Sequence, residues 1–491
     1  MQKSFKLLFL VFVALLATSL FQSCRNPRRT VAGTSSTTGW TYNDPEFGGF
    51  EKSLVDEQET GPGLVFIEGG TFVMGRTEQD VMHDWNNIPR RVTVSSFYMD
   101  KTEVRNIDYL EYLFWKSRVF GTTFPEVHRR ALPDTLSWLD PMAYNEPFVQ
   151  NYLRHPAYHQ YPVVGVSWVQ ANEYAAWRTD RVNEMILIRE GILAWDPDQL
   201  NERNFNTEAY LAGQYEGLVR RNMRDLDPRG TGERQVRWTD GILLPSYRLP
   251  TEAEWEFAAL GLIGNTFDEN IAERRQYPWD GSGIRNNDRQ SRGVFLANFR
   301  RGAGDYMGVA GSLNDAGEGP VPVTAFWPND YGLYNMAGNV SEWVLDAYRP
   351  LSHETVADLR PFRGNVFEIL ETDETGRPLP KDELGRMRRV PAPVEPGRRN
   401  FRQADNISYR DGDVRSSIFF GEEAPDTTRV MYEFGVSSLI NDQARVFKGG
   451  SWRDRAHWLS PGTRRFLDQN QSTNDIGFRC AMIRVGSPIG R

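Results

Sequence analysis

Cysteine is nearly absent: Cys24 and Cys480 are the two in 491 residues. A disulfide framework is thereby excluded, as is a zinc site built on several thiolates. Histidine is scarce, with six residues and no H-E-x-x-H pattern. His155 and His159 are spaced by four, but Pro156 and the run HPAYHQYP predict an extended or turn segment, not a metal-binding helical face. Basic charge is not in excess either. The formal net charge of −8 argues against nucleic acid, whose phosphates call for a concentrated basic surface. The local run Lys381–Arg402 is interrupted by Asp382, Glu383 and Glu395 and reads as a solvated loop or protein contact. Beyond Phe21 no apolar run is long enough to span a bilayer.

What is present begins with an address. MQKSFK gives a positive start, and Leu7 to Phe21 is apolar but too short and wrongly flanked for a transmembrane helix. It runs into Leu20-Phe21-Gln22-Ser23-Cys24, a small residue before a cysteine, which resembles a bacterial lipoprotein signal. Residues 1–23 are read as that signal, and Cys24 as the lipidated first residue of the mature chain. An ordinary cleaved signal with an incidental cysteine is the alternative. Several acyl chains anchor strongly, at about 0.8 kcal/mol per buried methylene. Residues 24–60, polar and rich in turn-formers, read as a flexible tether.

The body carries 43 glycines and 12% aromatics, a composition suited to a loop-rich globular chain of one large domain or two smaller ones. GLVFIEGGTFVMG (63–75) predicts a hairpin turning at its glycine pair, and VTVSSFYMDKTEV (92–104) a strand leading into a helix. Two helix starts are marked by capping boxes, Ser167 with Gln170 and Thr251 with Glu254. Behind them Trp168, Ala171, Tyr174 and Ala175, and then Trp255, Ala258 and Ala259, fall on inward faces. Residues 190–245 read as an inserted loop region with one or two short helices. Past Gly261 short aromatic and glycine-rich phrases replace long periodic elements, and a charged, proline-bearing stretch at about 350–440 reads as a surface insertion.

The stretch RVFKGGSWRDRAHWLSPGTRRF (445–466) gathers Ser451, Asp454 and His457. Members of a catalytic triad meet through the fold, so closeness along the chain is weak support for one. The reading adopted gives Ser451 the turn after the glycines, pairs Asp454 with an arginine and packs His457 beside Trp458. Catalysis by these three residues is the alternative.

In this order, IEGGTFVMG, FYMDKTEV, YPVVGVSWVQANEYAAW, YRLPTEAEWEFAA, NDYGLYNMAGNVSEW, RVFKGGSW and IGFRCA resemble the formylglycine-generating-enzyme (sulfatase-modifying factor) superfamily. The resemblance implies an α+β fold, one mixed domain related to C-type-lectin-like folds with little regular secondary structure. Here it would occupy residues 61–491, with insertions at about 190–245 and 350–440. Enzymes of the family oxidise a substrate cysteine with two cysteines that hold copper(I), an ion suited to soft thiolates. The matching positions are Asp454 and Leu459, so the resemblance implies no copper, no catalytic residue and no enzyme; Cys480 reads as structural core. It further implies structural calcium, an ion that takes six to eight oxygen ligands. One site would use the side chains of Asn335 and Glu342 with the carbonyls of Gly338 and Val340. A second would use Asn298 and Asp315 with the carbonyls of Phe299 and Gly317. The alternative at the first is that Asn335 and Glu342 hydrogen-bond the turn.

A narrower likeness joins the lipoprotein signal to residues 143–184 and to FKGGSWRDRAHWLSPGTRRFLDQNQSTNDIGFRCA (447–481). Together these look like the gliding-motility lipoproteins GldJ and GldK and the type IX secretion protein PorK. That likeness implies a non-catalytic lipoprotein of the outer membrane, on its periplasmic face, serving as a structural part of type IX secretion or gliding. Its partners would be a PorN- or GldN-like ring protein or a GldK-like lipoprotein. Two rivals stay open: an enzyme of altered chemistry on the same scaffold, and a glycan- or peptidoglycan-binding module suggested by fold analogy alone.

Overall fold

The computed structural model describes residues 33–486 apart from 54–56, 77–80, 83–86, 141, 143, 267, 269–274, 280, 282, 302–318, 349–361, 363, 365–367 and 392–442. Cys24 and most of the 350–440 stretch lie outside the described residues.

Strands β1 (Leu64–Ile67) and β2 (Gly70–Met74) were expected to pair with each other across Gly69-Gly70. Instead β1 pairs with β4 (Phe97–Asp100) and β2 with β3 (Arg90–Val94), both antiparallel. The register is continuous from Leu64↔Asp100 to Met74↔Arg90, so the two halves form one long ribbon with a break in the middle. The glycines mark that break and not a turn. A Cβ at Gly69 would stand 2.4 Å from the Val94 carbonyl oxygen, so only glycine permits this crossing. The strand pattern at 92–104 does lead into a helix, α1 (Asn106–Phe120).

Two four-stranded sheets follow from this frame. One has the order β1-β4-β14-β7, with β7 (Tyr247–Arg248) and β14 (Ala481–Ile483). The other has the order β12-β11-β8-β13, formed by β8 (Ser341–Ala347), β11 (Ala444–Lys448), β12 (Arg465–Asp468) and β13 (Ile476–Gly477). The second sheet brings NMAGNVSEW beside RVFKGGSW, because Glu342 faces Lys448 in the β8–β11 register.

Helices α2 (Pro125–Ala131), α3 (Glu146–Asn151), α4 (Trp168–Arg189), α5 (Thr207–Leu211) and α6 (Glu252–Leu260) complete the main elements. Both expected capping boxes are formed, Ser167 with Gln170 on α4 and Thr251 with Glu254 on α6. Trp255, Ala258 and Ala259 enter the main core with Phe72, Phe97, Val344 and Val446. Burying the larger of these side chains stabilises by about 1.5–3 kcal/mol each. Trp168 departs from the expected inward face: it is half-buried, and its indole N–H donates to the Val344 carbonyl at 2.8 Å.

The described residues up to Glu57, together with Arg221–Ile242, form a smaller unit of their own. In it β5 (Met223–Arg224) pairs antiparallel with β6 (Glu233–Arg234), Arg234 donates to Asp240 at 2.7 and 2.8 Å and pairs with Glu51, and Asp44 caps the turn Pro45–Phe47. The stretch read as a tether thus contains a folded portion held by ion pairs. The larger unit holds the remainder, including Gln58–Arg220. Of the second insertion, a hairpin of β9 (Glu368–Leu370) and β10 (Arg389–Pro391) is described. Among the described residues no helix is long and apolar enough to cross a membrane.

Candidate functional site

After β11 the chain turns sharply. Gly449 and Gly450 have φ of 93° and 70°, left-handed values that favour glycine. A Cβ at Gly450 would lie 2.9 Å from the Trp458 carbonyl oxygen. The turn delivers Ser451 onto Asp454: the backbone N–H donates at 2.9 Å and the hydroxyl lies 2.7 Å from Oδ2. The Ser451 hydroxyl is also 3.0 Å from Oδ2 of Asp475. Arg465 clasps Asp454, with Nη1 donating to Oδ1 at 2.8 Å, and donates to the Ser341 hydroxyl at 2.9 Å. His457 lies beside Trp458, ring centroids 5.0 Å apart. Its Nε2 is buried without a hydrogen-bond partner among the described residues. Burial, then the charge of Arg76, lowers its pKa, so the ring is neutral at pH 7. Ser451 and Asp454 therefore meet, while the serine's hydrogen bonds go to carboxylates and not to an imidazole. A serine nucleophile needs a base that accepts its proton, normally a histidine nitrogen.

The two positions that the sequence resemblance sets against the family's copper cysteines carry an acidic and an aliphatic side chain. Asp454 is ion-paired, and Leu459 is fully buried in an apolar cluster with Tyr277, Phe295, Phe299 and Ala337. Cys480 sits elsewhere, where burial and then Asp100 push its thiol up to about 12. It stays protonated at neutral pH and is a poor metal ligand. These side chains do not fit a copper(I) site.

The side chains of the first calcium set have protein partners. Asn335 and Asn339 take left-handed φ of 52° and 63°, and their Nδ2 groups donate to Glu103 Oε2 and Oε1 at 3.0 and 2.8 Å. Gly338, with φ of 78°, passes so close to Asn298 that a Cβ would stand 2.4 Å from its carbonyl oxygen. Val340 is core beside Trp138 and Trp452. Both Glu342 oxygens are engaged: Arg479 donates at 2.7 and 2.6 Å and the Trp255 indole at 2.7 Å. The guanidinium already supplies the positive charge a buried carboxylate requires, and a cation would have to displace it. The donor set as folded does not fit calcium through Glu342. Of the second set, Asn298 donates to the Gly319 carbonyl at 3.1 Å and accepts the Asn339 N–H at 2.8 Å, and Phe299 is core. Asp315 and Gly317 lie outside the described residues. Among the described residues no cluster of three or more acidic, histidine or cysteine side chains could hold a metal ion.

Glu103 is the site residue that sequence reasoning passed over. Burial pushes its pKa up to about 8, opposed by Arg479 and assisted by Glu342. The available signal was a carboxylate in FYMDKTEV, three residues past the end of a fully buried strand. His155, by contrast, serves its own turn: Nδ1 accepts the Ala157 N–H at 3.2 Å.

Residues 50–483 match the model of the "Sulfatase-modifying factor enzyme 1-like domain" family. A mouse (Mus musculus) protein named formylglycine-generating enzyme is 26% identical over 330 residues, covering 66% of this chain and 68% of its own. A second mouse protein, named inactive C-alpha-formylglycine-generating enzyme 2, is 26% identical over 325 residues, covering 62% and 73%. Among solved structures, PvdO from Pseudomonas aeruginosa is similar with a TM-score of 0.41 at 15% identity, over 86% of this chain and 94% of that one. With its sheets carrying the family's phrases and nearly the whole body matched, the chain belongs to the sulfatase-modifying factor enzyme 1-like (FGE-sulfatase) family.

Proposed function

We propose that this chain is a non-catalytic member of the family, a lipid-anchored structural component of the type IX secretion or gliding machinery on the periplasmic face of the outer membrane. The observation that carries the non-catalytic half is the pair Asp454 and Leu459, one ion-paired and one core, where the family's enzymes need two thiolates. That a similar protein is named inactive supports the same reading. The machinery half rests on the sequence likeness to GldJ, GldK and PorK and on the lipoprotein signal ending at Cys24. The C-type-lectin-related ancestry read from the sequence belongs with this proposal, and no particular residue favours a glycan-binding role over it. At the first of the two calcium positions, Arg479 supplies the positive charge that Glu342 requires.

The test is purification of the detergent-solubilised chain from its native membrane, with mass spectrometry of what accompanies it. A PorN- or GldN-like ring protein or a GldK-like lipoprotein in stoichiometric amount is the expected result, and it should be lost in Cys24→Ala together with the acyl group. Outer-membrane fractionation of Cys24→Ala as a mature, unlipidated protein would overturn the anchor, and recovery of the chain without such proteins would overturn the assembly.

A further inference from the structure

The smaller unit turns aromatic side chains outward. In its first segment Trp40 is 57% exposed, Phe47 46% and Phe50 65%. They are held in pairs: Trp40 meets Phe47 edge to face with ring centroids 6.4 Å apart, and Phe50 meets Tyr42 at 5.5 Å. Trp40 and Tyr42 flank Thr41, which bridges antiparallel to Thr34, so their side chains leave one side of the extended backbone. The backbone beneath is fixed. The Asn43 N–H donates to the Phe50 carbonyl at 2.8 Å, and the Asn43 side chain exchanges hydrogen bonds with the Lys52 backbone at 3.2 and 2.8 Å. Gly48 has a left-handed φ of 88°, and a Cβ there would stand 3.2 Å from the Trp40 ring.

Exposed apolar residues grouped on one small loop mark an interaction surface, unlike those scattered singly. Two observations identify what covers it. The first is reach. Gly33, where the described residues begin, lies nine positions after Cys24. At no more than about 3.6 Å per residue, that span reaches at most roughly 32 Å. A lipid on Cys24 therefore keeps the start of this loop within that distance of the bilayer. The second is chemistry. Trp, Tyr and Phe are the residue types that sit at headgroup level. Charge gives no competing pull: in the segment 33–53, Asp44, Glu46 and Glu51 outnumber Lys52, so anionic lipid is not attracted by it.

We propose that Trp40, Phe47 and Phe50 form a membrane-contact patch, inserting into the headgroup zone of the bilayer that holds the Cys24 lipid. The proposal rests on the lipoprotein reading of Cys24. The acyl chains supply the anchoring, and the patch gives the small unit a fixed orientation at the surface. A tethered contact is intramolecular and needs little affinity of its own. The rings already stand in place on a hydrogen-bonded loop, so little ordering opposes the contact.

The experiment uses the full mature chain from Cys24 onward, made without acyl groups and coupled through Cys24 to a maleimide lipid in phosphatidylcholine vesicles. Cys480 does not compete, being fully buried with its thiol pushed up to about 12. Lipids brominated near the headgroup quench only those tryptophans that reach them. Quenching of tryptophan emission is expected, insensitive to salt because charge does not drive it. It should be lost in Trp40→Phe, which keeps a ring and removes the fluorophore. Phe47→Ser combined with Phe50→Ser keeps the reporter and removes apolar area. That pair should cut quenching at least about threefold, since interfacial binding scales with the apolar area buried. No quenching in the wild-type chain overturns the proposal and leaves the patch to a protein partner. Quenching that persists in Trp40→Phe, or is unchanged in the double phenylalanine variant, overturns it too. Should that variant fail to fold, unchanged quenching in Phe50→Ser alone does so instead. The anchor is tested separately, by the acyl mass on Cys24 of the native protein. Because the coupling is chemical, the vesicle result stands whether or not that mass is found.

Discussion

Arg479 has no exposed surface, and the carboxylate bound to it is that of Glu342, equally buried. Breaking such a pair from one side leaves an uncompensated charge and costs about 3–5 kcal/mol. Glu342→Gln is therefore expected to lower stability by about that amount in denaturant titration. Wild-type protein should keep its melting temperature in excess chelator, whereas a calcium-dependent site would show the opposite pattern, a large chelator effect that Glu342→Gln removes. Glu103 gives a pH prediction of defined sign. Its folded pKa, about 8, is above the ordinary glutamate value of 4.5, so the folded state holds the extra proton between those values. This contribution is fully present below about 4.5 and is lost as pH rises through about 8. Glu103→Gln should flatten that part of the stability profile, as measured by denaturant midpoints from pH 5 to 9. An unaltered slope would remove Glu103 as its source. At this scale the sequence reading gave Asn335 and Glu342 to calcium, whereas the structure pairs them with Glu103 and Arg479. Their partners were not legible, because Glu103 is 232 residues from Asn335 and Arg479 is 137 from Glu342. Pairing across such distances is decided by the fold.

Elements were legible where their signal is local. The capping boxes at Ser167 and Thr251 formed as read, since each involves a side chain and a backbone N–H three residues apart. Ser167→Ala should cost about 1 kcal/mol, seen as a shifted denaturant midpoint with an unchanged slope. A loss below about 0.3 kcal/mol would mean that the tertiary packing of α4 holds its first turn without the cap. The hairpin at Gly69-Gly70 was misread for the complementary reason. A glycine pair between alternating apolar runs signals a turn or a close crossing equally well, and the neighbour that decides between them is the Val94–Ser96 segment. The turn at Gly449-Gly450 was read correctly because left-handed φ is a property of the residues themselves.

For the whole molecule, the ordered phrases from 63 to 485 carried the fold class, and the family match over 50–483 agrees with it. What the sequence concealed is how part of the supposed tether and part of the first insertion fold as one unit, residues to Glu57 with Arg221–Ile242. That association joins segments with little apolar patterning, through Arg234, Glu51 and Asp240. The account's central claim is that the wall at 445–466 is architecture and not machinery. Trp452 is 7% exposed and stacks on Trp138 with ring centroids 6.1 Å apart, so Trp452→Ala should cost about 3–5 kcal/mol, a large part of a domain's margin. Ser451→Ala and His457→Gln remove no core volume of that size. The decisive measurement is protein abundance and secretion, or gliding, recorded together in native cells carrying each variant. The account predicts that Ser451→Ala and His457→Gln stay abundant and active, while Trp452→Ala loses activity in proportion to lost protein. A Ser451→Ala protein that is folded, abundant and correctly assembled but inactive would contradict it.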